Sequence, residues 1–377
     1  MKKIVITGGL GYIGMKLCKI YSGKARKYQI KVIDKNFYSS RVSQLKRWGI
    51  GFTQVDILDS DHLSYEISDA DIIFHLAGVT NVGTTSEDIN ISRDKKVRDV
   101  GIKGTRNIIK YSKKDVKIIF PSTHVVFEGL DKVIKNIKET FLPRPVLEYS
   151  NGKVQSEKDL ISSGKDYVIL RLGSVYGNSQ DSTRLNIMPN LFSKISSTNG
   201  EIKLFGGGKQ LKSLVSVVDV ARCMEFVEAD QNINNEIYHC INEQLTVQQV
   251  ADICKKMNKN LQISITKDRI PNLGYSLSND KIKKAGFRFL YKIEPSIREM
   301  IESWADKPLL LENEDIQEGK DNYIDERGII SNYYFDDYLN MIGYVESKKG
   351  TQRGDHYHPI QTQKCLLIKG QYISITK

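Results

Sequence analysis

The stretch that most constrains this chain is its start, "KKIVITGGLGYIG". A β-branched apolar run ends in glycines at positions 8, 11 and 14, and a helical pattern, "YIGMKLCKIY", follows at once. Glycine suits a chain that must turn tightly and let its backbone approach a ligand closely. Gly8, Gly11 and Gly14 stand where a strand passes into a helix, so the helix N-terminus faces whatever the turn encloses, and such an end favours negative charge. A glycine triplet alone is a weak signal. Here a second strand, "IKVID", ends at Asp34, where an acidic side chain can bind the adenosine ribose hydroxyls of a dinucleotide. Gly8, Gly11, Tyr12, Ile13, Gly14 and Asp34 are therefore candidate cofactor contacts. A carboxylate at Asp34 repels the 2′-phosphate of NADP and favours NAD, although Lys35 and Arg41 leave the phosphorylated cofactor open.

Strand-like and helix-like segments alternate through the first half. "DIIFHLAG" and "VKIIFPST" are further buried-strand runs, with the helical "VRDVGIKGTRNIIKYSKK" between them, and "DYVILRLGSVYG" supplies a later strand. This alternation predicts an α/β fold, a doubly wound parallel sheet covered by helices on both faces. After Gly177 the pattern is more irregular, with helices at "TVQQVADICKKMNK" and near "EPSIREMIESW". A smaller substrate-binding lobe is expected there. The chain's 377 residues fit one large domain and a smaller one.

"EYSNGKVQSEK" holds Tyr149 and Lys153 four residues apart, on one face of a helix. Tyrosine, with an ordinary pKa near 10, is a poor base at neutral pH. A neighbouring ammonium favours the phenolate, so the pair can move a hydroxyl proton while a hydride moves to nicotinamide. Taken alone, the same spacing also describes a surface pair with no function.

Together with the glycine triplet, "QVDILD", "FHLAG", "FPSTHVVFEG", "EYSNGK", "RLGSVYG" and "GGGKQLKSLVSVVDVA" stand in the order found in the extended short-chain dehydrogenase/reductases. Residues 1–305 resemble the nucleotide-sugar epimerases and dehydratases of that family, with a Rossmann-type fold. The resemblance implies roles. Tyr149 would be the acid/base and Lys153 would bind the nicotinamide ribose. Thr123 would hydrogen-bond the reacting sugar oxygen. Asp56 and Ile57 would border the adenine, and Leu76, Ala77 and Gly78 would follow the cofactor. Ser174 and Lys212 would lie near the diphosphate of the sugar nucleotide, with His124 against the substrate.

Three departures matter. The family's dehydratases carry an Asp-Glu pair after the threonine, and here His124 and Val125 stand there. Valine does no proton chemistry; His124 is either a substitute acid or a hydrogen-bonded wall of the site. Lys212 replaces a usual arginine, keeping the charge and losing the bidentate fork. Gly152 replaces a usual serine, and the sequence offers no account of it.

The charge-rich stretch at 306–320 reads as a linker, and 321–377 as β. "GTQRGDHYHPIQTQKCLLIKG" resembles the first signature of the sugar-nucleotide cupins, with His356 and His358 but with Gln363 where a glutamate ligand is usual. A second signature does not follow. A truncated barrel, a vestigial half-barrel and a dimerisation element all remain open, and no catalytic metal is expected. Fusions of the two families occur in surface-polysaccharide pathways, so the resemblance implies a place in such biosynthesis.

The formal net charge of +11 favours anionic partners, but the lysines are spread along the chain rather than clustered with aromatics. A nucleotide-sugar partner is expected, not nucleic acid or membrane. Five scattered cysteines without a Cys-x-x-Cys pair argue against zinc and disulfides and fit a cytoplasmic compartment. The expected protein is an NAD-dependent nucleotide-sugar epimerase, dimeric, acting at sugar C4. A net C4 reductase or dehydrogenase and a non-catalytic nucleotide-binding scaffold are the alternatives.

Overall fold

The computed structural model describes residues 1–24, 26–79, 91–179, 184–266, 274–305, 320–325 and 328–333; the side chains of 91–96, 305 and 320–333 are outside the description. The chain divides into two compact units, Met1–Asn332 and Tyr333–Lys377. The central sheet, the second lobe and the candidate site all belong to the first. His356, His358 and Gln363 lie outside the described residues.

The chain begins with β1 (Lys2–Thr7), α1 (Tyr12–Tyr21), β2 (Tyr28–Asp34), α2 (Ser39–Arg47), β3 (Gly51–Gln54) and α3 (Ser60–Ile67). It continues with β4 (Ile72–His75), α4 (Ile91–Tyr111), β5 (Lys117–Thr123), α5 (Glu148–Ile161) and β6 (Asp166–Leu172). Then come β7 (Ser174–Tyr176), α6 (Met188–Ser197), β8 (Glu201–Phe205), β9 (Leu211–Ser216), α7 (Val217–Ala229) and β10 (Glu236–Cys240). The last elements are β11 (Glu243–Thr246), α8 (Val247–Met257), β12 (Gln262–Thr266), α9 (Asp280–Lys284), α10 (Ile293–Ala305), β13 (Lys320–Asp325) and β14 (Gly328–Tyr333).

Seven strands form one sheet in the order β10-β6-β5-β4-β1-β2-β3, and every pairing in it is parallel. This is the Rossmann-type α/β fold. Burial explains it. Alternate residues of β1 enter opposite cores: Ile4 and Ile6 pack with Met15, Leu17 and Val220 on one face, Val5 with Leu63, Ile108 and Leu160 on the other. A strand buried on both faces reads as a continuous apolar run. The chain winds outward from β1 through β2 and β3, then returns to the other side of β1 as β4. The strand order reverses between β1 and β4, where an open α/β sheet leaves a crevice outside its carboxyl ends.

The second half adds a lobe. Strands β11-β9-β7 form a small sheet, and β12 pairs with β8 in parallel. Phe192, Leu204, Val250, Cys254 and Ile297 join α6, α8 and α10 around these strands. Thr246 and Gln249 form a capping box at the start of α8. One expectation is corrected: "DYVILRLGSVYG" is two strands in two sheets. Gly173 stands at the break, where a Cβ would lie 2.6 Å from the Ser213 carbonyl oxygen, so only a bare backbone passes between the sheets. No described helix is long and apolar enough to cross a membrane. The four described cysteines are free and buried.

Candidate active site

The turn after β1 is built for close approach. Gly8 has φ +63°, and a Cβ there would lie 2.7 Å from the backbone of Ala77, in the segment after β4. A Cβ on Gly14 would come within 2.5 Å of the Gly9 carbonyl oxygen. The Gly8 N–H donates to Ile33 O at 2.8 Å and the Gly11 N–H to Gly8 O at 3.1 Å. Gly11 caps α1 without any side-chain acceptor, and no acidic residue stands in the first turn. The N-terminus of α1 thus carries no carboxylate of its own, and such an end fits a pyrophosphate.

The neighbouring strand ends complete the cradle. Asp34 closes β2, 9% exposed, its carboxylate accepting from the N–H of Leu10 at 3.2 Å and of Asn36 at 3.0 Å. Burial raises its pKa against those hydrogen bonds and the charge of Arg41. Arg41 is itself buried; it donates to Leu10 O at 2.8 Å and lies over the Tyr38 ring. Asp56 and Ile57 follow β3 beside this corner, where Val55 N–H bonds Asp34 O. The Leu76 N–H bonds Thr7 O at 3.1 Å and the Ala77 N–H bonds the Thr7 hydroxyl at 3.0 Å, while a Cβ on Gly78 would meet nothing. Ile13 packs half-buried against the core. The Tyr12 hydroxyl donates to Gly177 O at 2.6 Å and accepts from Asn190 at 3.2 Å. Its side chain is thus turned to the second lobe.

The reacting groups converge from β5 and α5. Thr123 ends β5 and its hydroxyl accepts from Val125 N–H at 3.2 Å. Burial pushes the Tyr149 phenol above its ordinary pKa; the charge of Arg184 and a hydrogen bond with Thr123 pull the other way. Lys153 follows one helical turn later. Its ammonium donates to Pro121 O at 2.8 Å and lies 4.3 Å from the Phe120 ring centroid. Burial lowers its pKa to about 8, against the attraction of Glu157. Glu157, a further turn on, is buried with Arg171 in an ion pair of 2.8 Å and accepts the Ser122 hydroxyl. Gly152 now has a physical account: a Cβ there would lie 3.2 Å from Arg98 Cα, so glycine lets α5 sit tightly on α4.

Beyond Thr123 lies a polar wall. His124 sits with Nε2 3.3 Å from the Ser174 hydroxyl and Nδ1 3.3 Å from the Tyr275 hydroxyl, which also donates to His124 O at 2.8 Å. Burial, with a smaller contribution from the charge of the nearby Lys212, lowers its pKa to about 3. Burial lowers the pKa of Lys212 too. The structure thus brings Thr123, His124, Tyr149, Lys153, Ser174 and Lys212 to one end of the sheet. Sequence reasoning missed Tyr275, Arg184 and Glu128. Glu128 stands inside the motif "FPSTHVVFEG", whereas no local pattern marks the other two. Among the described residues no group of three histidines, cysteines or carboxylates is placed to hold a metal.

A family model described as "NAD dependent epimerase/dehydratase family" matches residues 4–240. The dTDP-D-glucose 4,6-dehydratase of Homo sapiens is 25% identical over 323 residues, covering 80% of this chain and 89% of that protein. The UDP-glucose 4-epimerase of Mycoplasma genitalium is 26% identical over 331 residues, covering 79% and 94%. The crystal structure of UDP-glucose 4-epimerase from Thermotoga maritima with UDP-glucose superposes with a TM-score of 0.68 at 23% identity, covering 80% of this chain and 97% of that one.

Proposed function

The chain belongs to the NAD-dependent epimerase/dehydratase family, and from that premise we propose that it is a nucleotide-sugar 4-epimerase that oxidises sugar C4 transiently. The observation that carries this reading is the wall after Thr123. Relatives include both a 4,6-dehydratase and a 4-epimerase. Losing water across C5 and C6 requires a base for the C5 proton and an acid for the departing hydroxyl. Val125 can be neither. His124 is held neutral by burial, at a pKa of about 3, and both ring nitrogens have hydroxyl neighbours. It delivers no proton at neutral pH. Epimerisation needs only one acid/base at the C4 hydroxyl.

In this reading Tyr149 takes the C4 hydroxyl proton, and Thr123 holds the same oxygen. The charge of Arg184 favours the phenolate that results, and Lys153, mostly protonated at neutral pH, would add to it. NAD, when bound, supplies the hydride acceptor and returns the hydride. The turn from Gly8 to Gly14 would hold its pyrophosphate, with the backbone of Tyr12 and Ile13. Asp34 would hold the adenosine ribose, Asp56 and Ile57 the adenine, and Leu76 to Gly78 with Lys153 the nicotinamide side. Ser174 and Lys212 would meet the sugar diphosphate.

The test is incubation of the purified chain with UDP- and dTDP-linked hexoses in D₂O, without added reductant, read by NMR. Inversion at C4, with C6 oxygen retained and no deuterium at C5, is expected. Loss of the C6 hydroxyl would establish dehydration instead, and a requirement for stoichiometric reductant would establish net reduction.

A further inference from the structure

We propose that Glu128 is a positioning residue of this site: one of its carboxylate oxygens ties the turn that carries Thr123 to the first turn of the helix that carries Tyr149. The catalytic consequence rests on the reaction proposed above, while the structural consequence does not.

Helix α5 starts without a cap of its own, since its N-cap residue, Leu147, has no side-chain acceptor. The first amides of a helix need partners from elsewhere. Oε1 of Glu128 accepts from the Val146 N–H at 2.9 Å, from the Leu147 N–H at 2.6 Å and from the Ser150 hydroxyl. A capping box satisfies the N-cap amide with a side chain three residues into the same helix. Here the acceptor arrives from a residue about twenty positions upstream, and the N3 side chain, Ser150, donates to it as well. The carboxylate also stands at the positive end of the helix.

Glu128 is attached directly to the other half of the site. It follows the 3₁₀ turn His124–Phe127, whose N-cap is Thr123, and its own N–H donates to Val125 O at 3.0 Å. Two further bonds press the segments together: Gly129 N–H to Arg144 O at 2.8 Å and Arg144 N–H to Val126 O at 2.7 Å. A Cβ on Gly129 would lie 2.6 Å from the same Arg144 oxygen, so the approach depends on that glycine. The side chain of Glu128 thus spans from the turn that Thr123 caps to the start of the helix that carries Tyr149. Two backbone N–H groups and the Ser150 hydroxyl, which also lies 2.9 Å from Leu147 O, surround one oxygen, so a substitute must bring an acceptor to the same place. Glutamine keeps an acceptor at the same place. Aspartate keeps the charge but is shorter by one carbon–carbon bond, about 1.5 Å.

The experiment compares Glu128→Gln, Glu128→Asp and Glu128→Ala in the full chain. Two readouts are used: amide hydrogen exchange across residues 144–151, and steady-state kinetics on a nucleotide sugar the unmodified chain epimerises. Exchange at Val146 and Leu147 should quicken about tenfold or more in the Asp and Ala variants and stay near the unmodified rate in Gln. A displacement of about 1 Å can lower turnover on the order of 10²-fold. The Asp and Ala variants should therefore lose about tenfold to a hundredfold in kcat with KM within about twofold, and Gln should restore most of it. Unchanged exchange in Glu128→Ala, or an active Asp variant beside an inactive Gln variant, would overturn the proposal. If no nucleotide sugar is turned over by the unmodified chain, the function proposed above fails. The exchange data still decide whether Glu128 holds the helix.

Discussion

Lys153→Met isolates the electrostatics of the candidate site, because the lysine's cost is written in its surroundings. Its ammonium lies against the Phe120 ring with one carbonyl, Pro121 O, as hydrogen-bond partner. Burial lowers its pKa from 10.5 to about 8, against the opposing charge of Glu157. Between those two values an unfolded lysine keeps a proton that the folded one has shed. Stability rises with pH wherever the unfolded state binds more protons. The penalty of the buried charge is therefore fully present below pH 8 and relieved as pH climbs towards 10.5. Two and a half pKa units correspond to about 3 kcal/mol in full, of which about 1 kcal/mol falls between pH 7 and 9. Methionine has similar length and no charge. Denaturant unfolding of both chains at pH 7, 8 and 9, without NAD, measures the difference, and subtracting the variant removes the titrating groups that do not feel the Lys153 charge. The unmodified chain should gain about 1 kcal/mol on the variant across that range. A difference that stays flat with pH, or runs the other way, would show that Lys153 is solvated and that the burial argument fails.

Three further outcomes are expected. Tyr149→Phe should leave NAD binding nearly intact, measured calorimetrically, and lower turnover by on the order of 10²–10⁴; wild-type turnover would remove Tyr149 from the mechanism. Gly8→Ala forces a side chain to φ +63° and into the Ala77 backbone, so NAD should bind at least about tenfold more weakly; equal affinity would mean that the two segments move apart freely. NAD should bind more tightly than NADP, and Asp34→Ala should narrow the gap. Equal affinities for the unmodified chain would refute the role of that carboxylate.

What the sequence determined by itself is local, and the reason is that local patterns depend on backbone sterics and burial period alone. "KKIVIT" and "YIGMKLCKIY" coincide with β1 and α1 to the residue. Gly8 could be singled out because only glycine enters φ > 0 cheaply, and Tyr149 and Lys153 because four residues make one helical turn. Tertiary structure decided where these pieces aim. Tyr12 lies inside the glycine motif, yet its phenol bonds Gly177, 165 positions away. The sequence left His124 as a substitute acid or, by preference, a hydrogen-bonded wall; Tyr275, 151 positions on, and Ser174 stand beside it and burial holds it neutral. "RLGSVYG" became two strands because Gly173 passes against Ser213 of another sheet. Each outcome depends on which strands become neighbours once the winding reverses between β1 and β4. That choice is made by the packing of the whole sheet, and no window of the sequence contains it.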